Sequence, residues 1–285
     1  LPIVNLVNMQ DEIKKGRRII SKELNDSLIE TINRGEQAII LLNRRGYSTI
    51  ITCQECGYKE CCPNCDIPLT YHKKNNILKC HYCNYQKSLK NICPECGSKN
   101  ISEYGLSKEK LEEELKKIIP NAKIVRMDQD TTTKKGSHSR IIEDFKENKF
   151  NILVGTQMIA KGLDFKNVTL VGVINGDQTL NIPDFRSSEK TFALLSQVAG
   201  RAGRSEKSGK VIIQGFNLDY YSIRYAKDHD YISFYEEEIK IRKKLEYPPF
   251  TNLALVKIIS KNYDNCLKHS NLVKNYLIKF QNEFD

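Results

Sequence analysis

The chain has 285 residues, 40% of them hydrophobic, which is enough to form cores for about two domains. No apolar run is long enough to cross a bilayer, so the sequence does not predict a membrane protein. Forty-five Lys and Arg residues against 35 Asp and Glu residues give a formal net charge of +10. This excess favours an acidic partner, most simply a nucleic acid, although scattered charges also keep a surface solvated.

The first part of the chain predicts a helix followed by a buried strand. Residues 1–18 hold a short apolar run and then turn charged, which predicts an opening strand or a linker. Apolar residues at helical spacing predict a helix over 21–34, with Ser21 as its N-cap and Gly35 just after its end. The continuous apolar run 37–43 is typical of a strand buried on both faces of a parallel sheet.

Eight cysteines then follow as four Cys-x-x-Cys pairs: Cys53/Cys56, Cys62/Cys65, Cys80/Cys83 and Cys93/Cys96. Each such turn directs two thiolates at one ion, so two pairs complete the tetrahedral shell of a structural zinc. Four pairs therefore predict two Zn²⁺ ions per chain.

The four pairs can be combined in three ways, because sequential, interleaved and nested pairing are all possible. Nesting leaves fourteen residues inside the inner pairs, close to the usual zinc-ribbon spacing, and we favour it. It assigns an outer site to Cys53, Cys56, Cys93 and Cys96, and an inner site to Cys62, Cys65, Cys80 and Cys83.

Disulfides or an iron–sulfur cluster are the alternatives to zinc. No signal peptide is visible and the flanks are rich in Lys, Glu and Asn, which indicates a cytoplasmic chain, where thiols stay reduced. Iron–sulfur proteins usually space their cysteines differently. Cys61 is able to replace Cys62 as a ligand, but a spectator role is expected.

After the cysteines, helices alternate with strands. Helices are predicted over 107–118, 139–148, 189–199, 220–227 and 232–245, and strands over 122–127, 151–155, 168–174 and 210–215. This alternation predicts an α/β fold with a parallel, doubly wound sheet that the cysteine insert interrupts after the first strand. The sequence YPPF at 247–250 breaks the pattern as a domain boundary does, before a strand over 251–259 and a helix over 264–280.

Two blocks of residues suit phosphate binding. In 154–165, VGTQMIAKGLDF, Gly155 and Thr156 offer a tight turn with backbone N–H groups and a hydroxyl, which suit a phosphate of a nucleotide or a nucleic acid. In 197–204, QVAGRAGR, two arginines lie three positions apart on one helical face. Guanidinium groups bind phosphate in bidentate fashion and stabilise the charge of phosphoryl transfer. The alternative is a basic helix end that complements its own dipole.

These blocks resemble motifs V and VI of superfamily 2 helicases. Together with the cysteine insert and the sequences PDFR and YPPF, they make the whole chain resemble one family, the bacterial primosomal protein N′ or PriA family. The resemblance implies a RecA-like helicase C-terminal lobe with a parallel sheet, an inserted double zinc-ribbon module and a truncated α/β C-terminal domain. It also implies ATP-dependent 3′→5′ DNA unwinding at stalled replication forks, and it agrees with nested zinc pairing.

The resemblance divides the chain into segments and assigns roles to residues. Residues 1–18 are expected to be a linker from helicase lobe 1, 19–50 and 104–246 lobe 2, 51–103 the zinc-binding insert, and 247–285 the start of the C-terminal domain. The expected catalytic residues are Arg201, Arg204 and Gln197, the expected nucleotide contacts are Gly162 and Asp164, and the expected DNA contacts are Thr156, Gln157, Arg44 and Arg45.

Some expectations concern what lies outside the chain. The sequence has no Gly-x-x-x-x-Gly-Lys-Ser/Thr loop and no Asp-Glu-x-His box, so ATP and Mg²⁺ are expected to be bound through lobe 1, and this chain alone is expected to be inactive. Both ends are expected to continue in a longer protein. The implied partners are forked and single-stranded DNA, primosome proteins and single-strand-binding protein, with no membrane, in the bacterial cytoplasm.

Several functional readings remain open. A zinc-dependent adaptor that binds DNA and replication proteins without catalysis is the alternative to a helicase, but it has no need of QxxGRxGR. Arg44 and Arg45 are suited either to DNA phosphate or to a structural salt bridge. Asp177 and Gln178 either couple nucleotide state to DNA or simply shape a loop. Tyrosines and lysines alternate in the insert, which suits stacking on single-stranded DNA or mere covering of a small core.

Overall fold

A computed structural model describes most of the chain. The described residues are 2–43, 49–53, 55–64, 68–72, 75–80, 85–104, 108–127, 136–156, 165–182, 184–202, 209–256, 258, 260 and 262–284. They form two compact units, Leu1–Glu238 and Ile239–Asp285. No described helix is both long enough and apolar enough to cross a bilayer.

The elements follow one another in this order: β1 (Ile3–Asn8), α1 (Met9–Lys14), α2 (Lys22–Asn33), β2 (Gln37–Leu42), β3 (Thr49–Cys53), β4 (Thr70–His72), β5 (Ile77–Lys79), β6 (Gln86–Ser88), β7 (Ile101–Tyr104), α3 (Lys108–Ile118), β8 (Ile124–Met127), α4 (Ser137–Lys146), β9 (Ile152–Gly155), β10 (Val168–Ile174), a 3₁₀ helix (Gln178–Asn181), α5 (Ser187–Ala199), β11 (Lys210–Gly215), α6 (Tyr221–Lys227), α7 (Tyr231–Lys244) and α8 (Tyr263–Phe284).

The first unit is built on a six-stranded parallel sheet in the order β1-β11-β10-β2-β9-β8. Every residue of β2 and β10 is buried, as their continuous apolar sequences predict for strands covered on both faces. Leu24 and Leu28 of α2 pack on the sheet together with Leu111 and Leu115 of α3. The alternating helices and parallel sheet confirm the predicted α/β class.

One close approach in this core requires a glycine. A methyl group added at Gly172 in β10 would lie 2.8 Å from both Ile40 Cδ1 and Leu24 Cδ1. The helix therefore packs directly on the backbone of the strand, because the position carries no side chain.

A buried glutamine fixes the segment that leads into α2. Gln214 of β11 accepts a hydrogen bond from Ser21 N at 3.1 Å and donates one to Ile19 O at 2.6 Å. Ser21 is the N-cap of α2, as predicted, and accepts from Leu24 N at 3.3 Å. The start of α2 is thus held both by its own cap and by the neighbouring strand.

Residues 1–18 were expected to be an opening strand or a linker, and Ile3–Asn8 is a strand that pairs in parallel with β11 and extends the sheet. β1 lies at the edge of the sheet, and Ile3 is 63% exposed. An edge strand is covered less than a central one, so its sequence lacks the continuous apolar run that marks β2. That is why the sequence left a strand and a linker undecided here.

The cysteine insert forms a second sheet, antiparallel and five-stranded, in the order β6-β5-β4-β3-β7. Its first strand pairs with its last, and Cys53 lies opposite Ile101. The chain thus leaves the large sheet after β2 and returns beside its point of departure. The insert has a small core of Ile51, Cys62, Leu69, Leu78 and Cys80.

The second unit contains the helix expected after YPPF, as α8. The strand expected over 251–259 is wrong for the residues that are described, since 251–256 and 258 adopt no strand. Leu255 in this stretch is 92% exposed. An apolar run forms a strand only where a neighbouring strand takes up its hydrogen bonds.

Candidate metal centre and phosphate-binding motifs

The structure brings together the four cysteines that nested pairing assigns to the outer site. The Sγ atoms of Cys53, Cys56, Cys93 and Cys96 all lie within 4.8 Å of one another. Cys53 Sγ is 3.6 Å from Cys96 Sγ, and Cys56 Sγ is 3.6 Å from Cys93 Sγ. Four sulfurs at about 2.3 Å from one ion in a tetrahedron stand roughly 3.8 Å apart, so these donors fit a zinc ion.

The two turns that carry these cysteines have the same backbone geometry. In each, the carbonyl of the first cysteine accepts a hydrogen bond of 3.0 Å from the glycine that follows the second cysteine. The N–H of the first cysteine donates to the carbonyl of the residue after that glycine, Tyr58 in one turn (2.9 Å) and Ser98 in the other (2.8 Å). The glycines, Gly57 and Gly97, have φ angles of 77° and 70°, a region that other residues enter only with strain.

The thiols of the outer site differ in how readily they ionise. Burial raises the pKa of Cys56 to about 12. Burial acts in the same direction at Cys93, but hydrogen bonds from the backbone N–H groups of Cys96 and Glu95 outweigh it and lower its pKa to about 7. Because zinc binds thiolates, metal binding here releases protons.

Two of the four inner-site cysteines are described. Cys62 and Cys80 are 1% and 0% exposed and pack in the small core of the insert. Cys65 and Cys83 lie outside the described residues. The turn that begins at Cys80 shares a feature with the outer turns, because Cys80 N donates to Tyr85 O, five residues on, at 2.8 Å. The pairing of the inner four stays a prediction.

The carboxyl ends of the parallel strands form one edge of the large sheet, and it is here that open α/β sheets bind ligands. Thr156 follows β9 at this edge and is half-buried. Asp177 follows β10, is 2% exposed, and its Oδ2 accepts backbone N–H bonds from Phe216 (3.1 Å) and Asn217 (2.9 Å) after β11. Asp177 therefore shapes the neighbouring turn, which was the structural alternative for this residue.

Asn43 performs a similar task after β2. It is 1% exposed, and its Nδ2 donates to Asn175 O at 3.2 Å and to Thr179 Oγ1 at 3.2 Å. The first residues after β2, β10 and β11 are thus joined by hydrogen bonds of buried side chains. Only its position at a strand end marks Asn43 in the sequence.

The arginine block begins on α5. Gln197 is exposed near the end of this helix, Arg201 is half-buried two residues beyond it, and the neighbouring Ala202 is 3% exposed. The remaining predicted phosphate and DNA contacts lie outside the described residues: Arg44, Arg45, Gln157, Gly162, Asp164 and Arg204. Their roles stay predictions.

Residues 184–186 of the PDFR sequence form a charged turn just before α5. Arg186 donates to both carboxylate oxygens of Asp184, from Nε at 3.0 Å and from a terminal guanidinium nitrogen at 3.1 Å. Lys190 also bonds to Asp184. The Arg186 hydrogen bond holds the pKa of Asp184 well below its usual range, with further help from Lys190.

Sequence reasoning missed the contacts between the outer zinc site and the large sheet. Gln10 Nε2 donates to Cys56 O at 3.4 Å, and Lys59 Nζ donates to Asn181 Oδ1 at 3.3 Å. These pairs are far apart in sequence and carry no motif, so only the fold reveals them.

Two family models match the chain. The PriA DNA helicase Cys-rich region domain matches residues 62–87, and the helicase conserved C-terminal domain matches residues 97–206. The replication restart protein PriA of Bacillus subtilis is 52% identical over 259 residues, which cover 90% of this chain and 32% of that protein. The chain belongs to the PriA family. The PriA proteins of Borreliella burgdorferi and Synechocystis are 44% and 41% identical, and each match covers 92% of this chain.

The PriA relatives clarify the inner zinc site and the extent of the match. The Cys-rich region that the PriA model matches contains all four inner-site cysteines, which supports a zinc module here. The chain spans about a third of the length of the relatives, 32% of the Bacillus subtilis protein and 39% of the Borreliella burgdorferi protein.

The family models and the parallel sheet together confirm a helicase C-terminal lobe of RecA-like fold with an inserted zinc module. Among solved structures, domain 2 of the DEAD-box helicase Mss116p bound to an RNA duplex is 17% identical, with a TM-score of 0.40 over 80% of this chain and 59% of that one.

Proposed function

We propose that this chain supplies the second helicase lobe, with its zinc module, of an ATP-dependent 3′→5′ DNA helicase that restarts stalled replication forks. The observation that carries the proposal is the 52% identity to a replication restart protein PriA over 90% of the chain. The block QVAGRAGR at the end of α5 supports it, because paired arginines suit a nucleotide phosphate.

In the proposed mechanism, lobe 1 binds ATP and Mg²⁺, and Arg201 and Arg204 meet the γ-phosphate from the opposite side. Their guanidinium groups stabilise the charge that develops in phosphoryl transfer. Gln197 lies on the same helix end and orients the arginines or the phosphate, while Gly162 and Asp164 contact the nucleotide. The half-buried position of Arg201 beside the buried Ala202 supports a fixed rather than a freely moving guanidinium.

DNA is proposed to run along the carboxyl edge of the sheet. Thr156 is half-buried at this edge and offers a hydroxyl to a phosphate, and Gln157, Arg44 and Arg45 are the other proposed contacts. Closure of the two lobes around ATP would then move this lobe along the strand. Forked and single-stranded DNA, primosome proteins and single-strand-binding protein are the proposed partners, in the bacterial cytoplasm.

The zinc module is proposed to hold two ions, one in each nested set of four thiolates. Zinc supplies no chemistry to ATP hydrolysis in this proposal. Its ligands instead cross-link short strands that have only a small core, and such modules fold with their metal.

The test is Arg201→Lys in a full-length protein that contains this lobe. Lys keeps the charge but cannot form the planar fork, so DNA-stimulated ATP hydrolysis and unwinding should fall at least about tenfold. This loss should be smaller than the loss on removing a lone arginine finger, because two arginines share the task. Nucleotide affinity should change much less, and zinc content should not change.

Arg224→Lys is the matched control, because Arg224 lies exposed on α6 outside both phosphate-binding blocks. It should leave hydrolysis unchanged. Near-normal hydrolysis in Arg201→Lys and Arg204→Lys alike would contradict the catalytic role and favour an adaptor that binds DNA without catalysis.

A further inference from the structure

Among the described residues, one of the two turns of the outer zinc site makes hydrogen bonds to residues that follow strands of the large sheet. A methyl group added at Gly57 would lie 2.8 Å from Gln10 Nε2 and 3.5 Å from the ring of Phe216. The same addition at Gly97, the equivalent glycine of the other turn, meets no described atom within 4 Å. We name residues 55–59 the docked turn.

Three neighbouring strands supply the surface that receives the docked turn. Gln10 follows β1 and donates to Cys56 O. Asn181 follows β10 and accepts from Lys59 Nζ, and Phe216 follows β11 and lies against Gly57. Since β1, β11 and β10 are adjacent in the sheet, the three contacts form one continuous surface at its carboxyl edge.

The receiving residues are themselves held in place. Gln10 lies in the first turn of α1, where its N–H donates to the N-cap side chain of Asn8 at 2.8 Å. The turn that carries Phe216 is fixed by two hydrogen bonds to buried Asp177. The surface is therefore a formed part of the lobe, and the docked turn matches it by shape and by hydrogen bonds.

We propose that the outer zinc site and the carboxyl edge of the lobe stabilise each other through the docked turn, with Gln10 as the positioning residue. Zinc fixes the docked turn, and the docked turn then covers Gln10 and Phe216. Coupling of this kind is reciprocal, so loss of the docking contacts should loosen the zinc, and loss of the zinc should loosen the edge loops. The proposal does not depend on any catalytic activity of the lobe.

Gly57→Ala and Gly97→Ala form a matched pair that isolates the docking. Both place Ala at a positive φ in a zinc turn, so both carry a similar strain. Only Gly57→Ala displaces Gln10 from Cys56. We therefore expect Gly57→Ala to release zinc to a colorimetric chelator about fivefold faster than Gly97→Ala, the effect of one hydrogen bond of ordinary strength.

Amide hydrogen exchange of the zinc-loaded chain gives the deciding readout. Gly57→Ala should raise exchange about fivefold in α1 and in the turn at Phe216, whereas Gly97→Ala, which leaves the docking contacts intact, should raise it much less. In a Gln10→Ala background the two glycine variants should behave alike, because the added methyl group no longer meets Gln10. Equal exchange at the sheet edge in the two single glycine variants would overturn the proposal.

Gln10→Ala alone keeps every zinc ligand and both glycines, so it tests the docking even if Gly57→Ala does not fold. It should speed zinc release and raise exchange in the docked turn. Gln86→Ala, at an exposed position on β6, is its control and should change neither. Identical behaviour of Gln10→Ala and Gln86→Ala would also overturn the proposal.

Discussion

At the scale of single residues, Asp184 shows how one carboxylate holds a turn together. It is bound by Arg186 and Lys190, and its side chain is only 18% exposed. The arginine is 54% exposed, so solvent weakens the pair relative to a buried one. The turn nevertheless sets the start of α5, the helix that leads to Arg201.

We expect Asp184→Asn to lower the free energy of unfolding by about 1 kcal/mol at neutral pH, because it removes a charged acceptor that two cations share. The pKa of Asp184 is lowered in the folded state, so its contribution is complete above the ordinary value of 3.8 and is lost as pH falls through the lowered folded value. The difference between the two proteins should therefore be constant from pH 5 to 8 and shrink below about pH 4.

Urea denaturation across this pH range measures the effect. Asp26→Asn is the control, since Asp26 pairs with Lys22 on the exposed face of α2 and should contribute much less. A difference that grows as the solution becomes more acidic would contradict the assigned direction of the Asp184 shift.

At the scale of elements, the insert and the large sheet should respond separately to loss of an inner zinc ligand. We expect Cys80→Ser to unfold the inner part of the insert, because Cys80 is fully buried in its small core, while the six-stranded sheet stays folded. Zinc content should fall from about two equivalents to about one.

Cys61→Ser provides the comparison. Cys61 is half-buried beside Cys62, but nested pairing gives it no ligand role. Its replacement should leave the zinc content unchanged, as measured by metal analysis, with hydrogen exchange reporting on each sheet. An equal loss of zinc in both variants would show that Cys61 takes part in binding.

The central strands of the large sheet were predictable, because a strand that is buried on both faces has a continuous apolar sequence. β10 was predicted at its observed bounds, Val168–Ile174, since all seven of its residues are buried and a continuous apolar run results. The edge strand β1 was left undecided for the opposite reason. The strand predicted from the apolar stretch at 251–256 was wrong, because apolarity alone does not supply a neighbouring strand.

The candidate sites were predictable only where the spacing of residues in the sequence determines how their side chains are arranged. The grouping of the four outer cysteines followed from Cys-x-x-Cys spacing, because such turns set ligand geometry locally. The positions of Gln10 and Phe216 against the docked turn were not predictable, since the fold alone brings these distant residues together. The short strands of the insert were missed as well, because three-residue strands are too brief to show periodicity.

At the scale of the whole chain, we expect the 285-residue protein to hydrolyse no ATP, with or without DNA. Its sequence has no phosphate-binding loop with Lys and no Asp-Glu-x-His box, so nothing in it cradles the nucleotide phosphates. Release of phosphate by the purified zinc-loaded chain measures this. DNA-stimulated turnover above that of an Arg201→Lys preparation would contradict it.

The same chain should still bind single-stranded DNA weakly. Its formal charge of +10 attracts phosphate, and the observed affinity should fall linearly with the logarithm of the salt concentration. Fluorescence anisotropy of a labelled oligonucleotide across a salt series measures the slope. Binding that is indifferent to salt would point to a mode without phosphate contacts.

The order of the strands also governs how the protein forms on the ribosome. The central strand β2 pairs with β9 and β10, which are both synthesised only after the entire zinc module, and β1 pairs with the still later β11. The strands of the zinc module pair among themselves, so this is the first sheet that the nascent chain is able to complete. Until β9 and β10 emerge, the apolar strand β2 has no partner strand in its sheet, and a nascent chain of that length is prone to aggregation.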